Sequence, residues 1–220
     1  MSSKATVEIT CPACGSVSNY SMWRSINTAM SPGMKEAVRD RSAFAFVCPH
    51  CGKKCNVDYG FLYHQMEDAM MIQYAQGDEA AADAYRLFFP ERPDEELIDV
   101  KKENYLIRIV RSQNELLEKL AIFDAGLDDR VIEIYKLLCL ADIQNKRPEL
   151  QEIQILFLND NGQYILEILT GHKSIGYVEI STDTYQLIQD SYGDRLPDMR
   201  TESPFVDRPW ALEFLGAAKD

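Results

Sequence analysis

Residues 11–15 read Cys-Pro-Ala-Cys-Gly and residues 48–52 read Cys-Pro-His-Cys-Gly, and these two segments decide how the first part of the chain folds. In each segment two cysteines, separated by two residues, can turn back and present two sulfurs to one metal ion. The glycine that follows tolerates the positive φ of such a tight turn. Two half-sites complete a closed set of four thiolates, which suits one structural Zn2+ at about 2.3 Å per sulfur. The predicted ligands are Cys11, Cys14, Cys48 and Cys51.

The spacing of the two cysteine pairs predicts an inserted element. The 33 residues between Cys14 and Cys48 exceed the roughly 15–20 of a simple zinc ribbon. Pro32-Gly33 precedes good helix formers over 34–40, so we expect a short helix there. Strand-like patterns cover 7–10, 19–25, 42–47, 56–59, 61–65 and 69–74. The sequence predicts a β-rich, zinc-ribbon-like N-terminal lobe with a helical insertion.

Beyond the second cysteine pair, a helical pattern over 80–88 leads into a polar, proline-broken connection over 89–96. We therefore expect two domains, residues 1–100 and residues 101–220. The second should be a mixed lobe of helices and a β-hairpin, whose Asn161-Gly162 supplies the turn. Its expected strands are 104–110, 153–158, 164–169 and 177–180, and its expected helices are 113–123, 128–147, 182–192 and 210–215. The predicted fold class is α+β.

Composition and charge restrict the possible functions. The chain of 220 residues, 46% apolar and 26% charged, is typical of a globular protein of one or two domains. Its net charge of −12 argues against binding phosphates with the whole molecule, although residues 1–76 carry +1 and only residues 77–220 are strongly acidic. Lacking a signal-like or membrane-spanning apolar run, the chain is expected in the cytoplasm, where thiols stay reduced.

The cysteine pairs have two competing interpretations. They could be unrelated buried thiols, which two matching segments disfavour. Alternatively, Cys48-Pro49-His50-Cys51 could be a redox motif, since the same four residues form the active site of DsbA-type disulfide oxidases. That motif opens a helix, whose N-terminus lowers the pKa of the first thiol. Here Gly52 follows at once, and residues 53–57 look like a strand, so zinc is favoured.

The chain also resembles a known family. The resemblance lies in the paired Cys-Pro-X-Cys-Gly segments, in Phe46-Val47 before the second pair and in Leu62-Tyr63-His64. It continues through residues 108–112, 115–119 and 128–133. Over roughly residues 6–135 the chain is similar to the bacterial CpXC-domain family, and residues 150–220 lie outside the resemblance. This family is a presumed metal-binding domain without an established activity, so the resemblance implies a metal site and leaves the biological process open.

Other cysteines and histidines are expected to have ordinary structural roles. Cys55, a fifth cysteine beside a filled site, is read as a strand residue and left off the ligand list. His50 could replace a thiolate but is better read as facing solvent. The sequence shows no motif of further catalytic or metal-binding residues to accompany His64 or His172. Cys139 is expected to pack as a small apolar side chain.

Aromatic and basic residues are interspersed in the N-terminal lobe, a mixture that could stack bases of single-stranded nucleic acid. The stronger interpretation is that the rings form the core of the lobe and the basic residues its solvated face. The rings are Tyr20, Trp23, Phe44, Phe46, Tyr59, Phe61, Tyr63 and Tyr74, and the basic residues are Arg24, Lys35, Arg39, Arg41, Lys53 and Lys54.

Three function classes follow, in order of preference. The first is a structural-zinc interaction or regulatory protein whose partner is a protein. The second is a nucleic-acid-binding zinc-ribbon protein, and the third is a cytoplasmic thiol-disulfide redox enzyme using Cys48 and Cys51. A Ser/His/Asp arrangement, a His-Glu-X-X-His motif and a phosphate-binding glycine loop are not found, so the sequence leans against an enzyme. No membrane partner is expected.

Overall fold

The computed structural model describes residues 1–90, 104–171, 173–200 and 203–216. The chain divides into two compact units, Met1–Gln113 and Asn114–Asp220. A sheet-rich first part and a second part of helices with an antiparallel sheet confirm the predicted α+β class. None of the described helices is long and apolar enough to cross a lipid bilayer.

The first unit is built on a five-stranded mixed sheet and a separate two-stranded one. Its strands are β1 (Ser3–Thr10), β2 (Val17–Asn27), β3 (Ala45–Val47), β4 (Lys54–Asn56), β5 (Phe61–Gln65), β6 (Met70–Tyr74) and β7 (Leu106–Val110). The large sheet has the order β1-β2-β5-β6-β7, and β3 pairs with β4 on its own. Pairing between β2 and β5 is parallel and involves only Ser25–Asn27 of β2. Most of the β1–β2 hairpin therefore extends beyond the strands that anchor it.

The helical insertion between the cysteine pairs is confirmed as α1 (Met34–Arg39). The strand expected over 42–47 is shorter, because Arg41 adopts a left-handed φ of 65° and Ser42–Phe44 form a 3₁₀ turn before β3. The Asp40 carboxylate supports this turn by accepting the Ser42 N–H at 2.8 Å. The strand expected over 56–59 was also misplaced, since β4 ends at Asn56, where its pairing with β3 runs out.

The division between the units falls after Gln113, later in the chain than the expected boundary near residue 100. The reason is that β7 pairs in parallel with β6 over its full length and so completes the first sheet. The helix α2 (Gly77–Phe88) ends just before the expected connection over 89–96, most of which lies outside the described residues. That the two units fold independently stays a prediction.

The second unit combines helices and an antiparallel sheet around one apolar core. Its helices are α3 (Gln113–Asp124), α4 (Asp129–Lys146), α5 (Thr182–Tyr192) and α6 (Arg208–Gly216), and its strands are β8 (Ile153–Asp160), β9 (Gln163–Thr170) and β10 (Lys173–Glu179). The sheet order is β10-β9-β8. The predicted hairpin is confirmed, with Asn161 at φ 51° and Gly162 at φ 92° in its turn. Asp128 caps α4, since its side chain accepts the N–H of Arg130.

A buried ion pair links α3 to α4. Lys119 Nζ lies 2.8 Å from Asp129 Oδ2, and the two side chains are 4% and 0% exposed. The same ammonium donates a hydrogen bond of 2.7 Å to the carbonyl of Val206, ahead of α6. Removing two charges from water costs free energy, and the attraction between Lys119 and Asp129 offsets part of that cost.

Candidate metal centre

Each cysteine pair occupies the turn of a β-hairpin. The first lies between Thr10 and Val17, the last partners of the β1–β2 hairpin, and the second lies between Val47 and Lys54 of the β3–β4 hairpin. The two turns thus present their cysteines from the tips of two separate ribbons.

The two turns share one hydrogen-bond pattern. In the first, Cys11 N–H donates to the Ser16 carbonyl and Gly15 N–H donates to the Cys11 carbonyl, both at 2.9 Å. In the second, Cys48 N–H donates to the Lys53 carbonyl and Gly52 N–H donates to the Cys48 carbonyl, again at 2.9 Å. Repetition of the five-residue motif in the sequence is therefore a repetition of one local structure.

The glycines that end the two motifs confirm the expected backbone. Gly15 and Gly52 both have φ of +72°, and a Cβ added to either would meet no atom within 4 Å. Glycine is therefore required here for its backbone conformation and not for lack of space, because residues with a Cβ rarely adopt a positive φ.

Four sulfurs converge where the two ribbon tips meet. The Sγ atoms of Cys11, Cys14, Cys48 and Cys51 all lie within 4.8 Å of one another. Two distances join sulfurs of different turns, Cys11 to Cys51 and Cys14 to Cys48, and both are 3.7 Å. A regular tetrahedron with bonds of about 2.3 Å to its centre has edges of about 3.8 Å. The arrangement could hold a metal ion, and all four predicted residues take part in it.

Burial divides the cysteines into an inner and an outer pair. Cys11 and Cys48, the first residues of their motifs, are each only 1% exposed, while Cys14 and Cys51 are exposed. The cluster therefore lies at the surface of the unit with one sulfur of each turn directed inward.

The Ser16 hydroxyl contacts sulfurs of both turns. Its Oγ lies 3.0 Å from Cys14 Sγ and 3.5 Å from Cys48 Sγ. These contacts favour the thiolate forms, and Ser16 is the main cause that lowers the pKa of Cys14 and lowers the pKa of Cys48 to about 6. Ser16 was not among the residues predicted from the sequence. Its position in the sequence could have indicated this role, because a residue two positions after Cys14 lies at the end of the turn, close to the sulfurs.

Cys51 has the opposite electrostatic environment. The backbone N–H of Lys53 favours its thiolate, but the contact with Cys14, together with burial and the two remaining sulfurs, raises the pKa of Cys51 to about 12. Four neighbouring thiols cannot all ionise without a cation among them, since like charges repel. A bound divalent metal would remove this conflict.

Aromatic rings in edge-on and tilted contacts join the two ribbons to the core of the first unit. Tyr20 of β2 lies edge-on to Phe46 of β3 with ring centroids 6.1 Å apart, and contacts continue through Tyr59 and Phe44 to Phe61 of β5. Seven of the eight rings singled out in the sequence are buried, and Trp23 is half-buried under Lys4, whose Nζ lies 3.9 Å from its ring. Because these rings form the core, they are not available to stack nucleic-acid bases.

The remaining cysteines and histidines lie apart from the sulfur cluster. Cys55 is half-buried in β4 opposite Phe46, and Cys139 packs against the core of the second unit, where burial raises its pKa. His50 is exposed in the second turn. His64 Nε2 lies 3.0 Å from the Tyr105 hydroxyl, and burial lowers the pKa of this histidine. His172 lies outside the described residues.

The surroundings of Cys48 and Cys51 differ from those of a disulfide oxidase. The strand β4 follows the motif, rather than a helix whose N-terminus would face the first thiol. Hydrogen bonds from Ser16, and from the backbone N–H groups of Cys51 and His50, favour the Cys48 thiolate instead. The lowered pKa of Cys48 therefore arises from groups that also suit a metal-bound thiolate.

Comparison with known proteins gives one family. The family model described as CpXC protein matches residues 9–136, which is more than half of the chain and close to the extent of the resemblance seen in the sequence. Among curated proteins and among solved structures, no match to this chain was found. The matched segment contains both cysteine pairs and ends within α4.

Proposed function

Since the chain belongs to the CpXC family, we propose that its four clustered cysteines bind one structural Zn2+. The observation that carries this proposal is the 3.7 Å separation of sulfurs from different turns, which is the edge expected of a tetrahedral zinc site. Four thiolates would fill such a site and leave no position for water or substrate, so its role is in folding rather than catalysis.

The ion would tie together two parts of the first unit that share no strand pairing. The β1–β2 hairpin and the β3–β4 hairpin belong to different sheets, and their cysteines are 33 residues apart in the chain. Holding them together opposes loop-closure entropy, and structural zinc supplies on the order of 10 kcal/mol at neutral pH. Since β2 is anchored to β5 through three residues only, the outer part of its hairpin depends most on the metal.

The function that fits this centre is a zinc-stabilised interaction or regulatory protein of the cytoplasm. A protein partner is favoured over nucleic acid for two reasons: the net charge is −12, and seven of the eight aromatic rings predicted as possible base-stacking residues are buried in the core. The zinc centre would then act as a rigid support for the surface that meets the partner.

The experiment is elemental analysis of the purified full chain, paired with single substitutions. We expect one zinc per wild-type chain, and reduced zinc in Cys11→Ser, Cys14→Ser, Cys48→Ser and Cys51→Ser. Cys55→Ser is the matched control, since it removes a nearby thiol outside the cluster and should keep its zinc. Hydrogen exchange after chelation should show lost protection in residues 1–76, with residues 114–171 still protected.

Several outcomes would contradict the proposal. A metal-free wild type with a disulfide between Cys48 and Cys51 would favour redox chemistry instead. A coloured, iron-containing protein would retain the ligands but replace the metal, because four thiolates also suit iron. Loss of zinc in Cys55→Ser alone would show that the ligand set is wrong.

A further inference from the structure

The tip of the β8–β9 hairpin holds a chemically labile pair of residues. Asn161-Gly162 is the one Asn-Gly pair in the sequence, and it forms the two-residue turn between Asp160 and Gln163, the last partners of the two strands. Both residues of the pair are exposed, and a Cβ added to Gly162 would meet no atom within 4 Å. Water therefore reaches the Asn161 side chain freely, and Gly162 has no side chain to shield its own backbone nitrogen.

An asparagine followed by glycine can lose its side-chain amide without an enzyme. The Gly162 backbone nitrogen gives up its proton to water and attacks Cγ of Asn161. The new C–N bond closes a five-membered imide, and the side-chain nitrogen leaves as ammonia. Water then opens the imide: cleavage between the Gly162 nitrogen and Cγ gives aspartate, and cleavage between that nitrogen and the backbone carbonyl carbon gives isoaspartate. The whole reaction consumes water and releases ammonia, and nothing is oxidised or reduced.

The closed turn opposes this reaction through its backbone conformation. Ring closure requires the Gly162 nitrogen to lie on the same side of the Asn161 Cα–C bond as Cβ. Asn161 has φ of 51°, in the left-handed region, where ψ is about +30 to +60°. A ψ in this range turns the following nitrogen away from Cβ. Attack therefore requires Asn161 to leave the left-handed conformation, which opens the tip of the hairpin.

Two hydrogen bonds from the reacting groups hold the tip closed. The Gly162 N–H donates to Asn159 Oδ1 at 2.8 Å, so the attacking nitrogen is engaged by a neighbouring side chain. Asn161 Nδ2 donates to Asp160 Oδ1 at 2.9 Å, which holds the amide that must be attacked. Both acceptors are exposed, so each bond stabilises the closed tip only modestly, and the tip can open without unfolding the strands.

From this geometry we propose that Asn161 is a site of spontaneous deamidation, which proceeds through opening of the hairpin tip and is restrained by the Asn159 side chain. Either product places a carboxylate beside that of Asp160 in the turn. The isoaspartate product also lengthens the backbone by one carbon. Because a two-residue turn fixes the register of its hairpin, the lengthened tip cannot close as before.

The test is prolonged incubation of the purified full chain at mildly alkaline pH, followed by peptide mass spectrometry with fragmentation that distinguishes aspartate from isoaspartate. We expect conversion at Asn161, and none at the exposed Asn145 over the same period, because Lys146 follows it instead of glycine. Conversion in the folded chain should be about tenfold slower than in the same chain unfolded in urea, because it passes through a seldom populated opening.

Asn159→Ala should raise the rate in the folded chain about fivefold, because the Gly162 N–H loses its acceptor, and should not change the rate in urea. The matched control Asn145→Ala, which removes an exposed amide from α4, should change neither rate. Circular dichroism should show that both variants are folded. Equal rates in the folded and unfolded chain would overturn the proposal. So would a folded chain that stays unmodified at Asn161 while the unfolded chain reacts, or an Asn159→Ala variant whose folded rate is that of wild type.

Discussion

Replacing Ser16 by Ala isolates the contribution of one hydroxyl to the proposed zinc centre. This hydroxyl lies 3.0 Å from Cys14 Sγ and 3.5 Å from Cys48 Sγ, so it touches sulfurs from both turns. It has one proton, and can donate one full hydrogen bond at a time. Removing a partner of this kind weakens metal binding by about 10–100-fold, and a single shared proton places Ser16→Ala near the lower limit, at about tenfold.

The loss should depend on pH in a defined direction. With Ser16 present, the pKa of Cys48 is about 6 instead of its ordinary value of 9.0, so the thiol is ionised at pH 7 before metal arrives. In Ser16→Ala the pKa of Cys48 rises, and a proton competes with the metal at pH 7. At pH 9 much of this competition has disappeared, so the difference from wild type should be larger at pH 7 than at pH 9.

The assay is competition for zinc with a chromophoric chelator of known affinity, carried out on the full chain at both pH values. Ser18→Ala is the matched control: its Oγ is buried, and it has no hydrogen-bond partner among the residues that the structure describes. Removing it should leave zinc affinity within about twofold of wild type. If Ser16→Ala binds zinc as tightly as wild type at pH 7, or if Ser18→Ala is equally weak, the role assigned to Ser16 is wrong.

Two further predictions concern the second unit and are measured by native-state hydrogen exchange of its amides. Lys119→Met should lower the free energy of unfolding by about 3–5 kcal/mol, because Asp129 stays buried without this cation. The control Lys146→Met, on the exposed face of α4, should cost under about 1 kcal/mol. Equal effects of the two substitutions would refute the assigned role of the pair. Gly162→Ala should lower the free energy of unfolding by about 1 kcal/mol, because φ is +92° at this position. Gly193→Ala, at φ −52°, should leave that free energy unchanged or raise it. If Gly162→Ala has no effect on stability, the explanation from φ is wrong.

Most elements could be predicted from the sequence because their patterns are local. The strand over 61–65 and the helix over 182–192 have the predicted bounds, and the turn at Asn161-Gly162 needs only the conformational preference of two residues. The convergence of the four cysteines could also be predicted, because a pair of thiols two residues apart is half of a metal site whatever fold surrounds it.

Features set by distant contacts could not be predicted in this way. Strand β7 was recognised as a strand, but its parallel pairing with β6 depends on a partner more than thirty residues earlier, which no local pattern reveals. The contact of Ser16 with Cys48 likewise exists only after the two hairpins have met. The turn at Ser42 follows Arg41, whose backbone is left-handed. Few residues other than glycine adopt this conformation, and the local sequence around Arg41 gives no sign of it.

The distance between the two cysteine turns along the chain also sets an order of events during synthesis. Ribosomes add about 5–20 residues per second, so Cys48 emerges roughly 2–7 s after Cys11. During that interval the first turn can offer a metal only two sulfurs, and its hairpin lacks β5, the strand that anchors β2. Half-made chains would therefore depend on the cell's thiol buffers and chaperones to keep Cys11 and Cys14 reduced until the second turn appears. Limiting zinc during growth should accordingly lower the yield of newly made protein more than removing zinc from protein already folded.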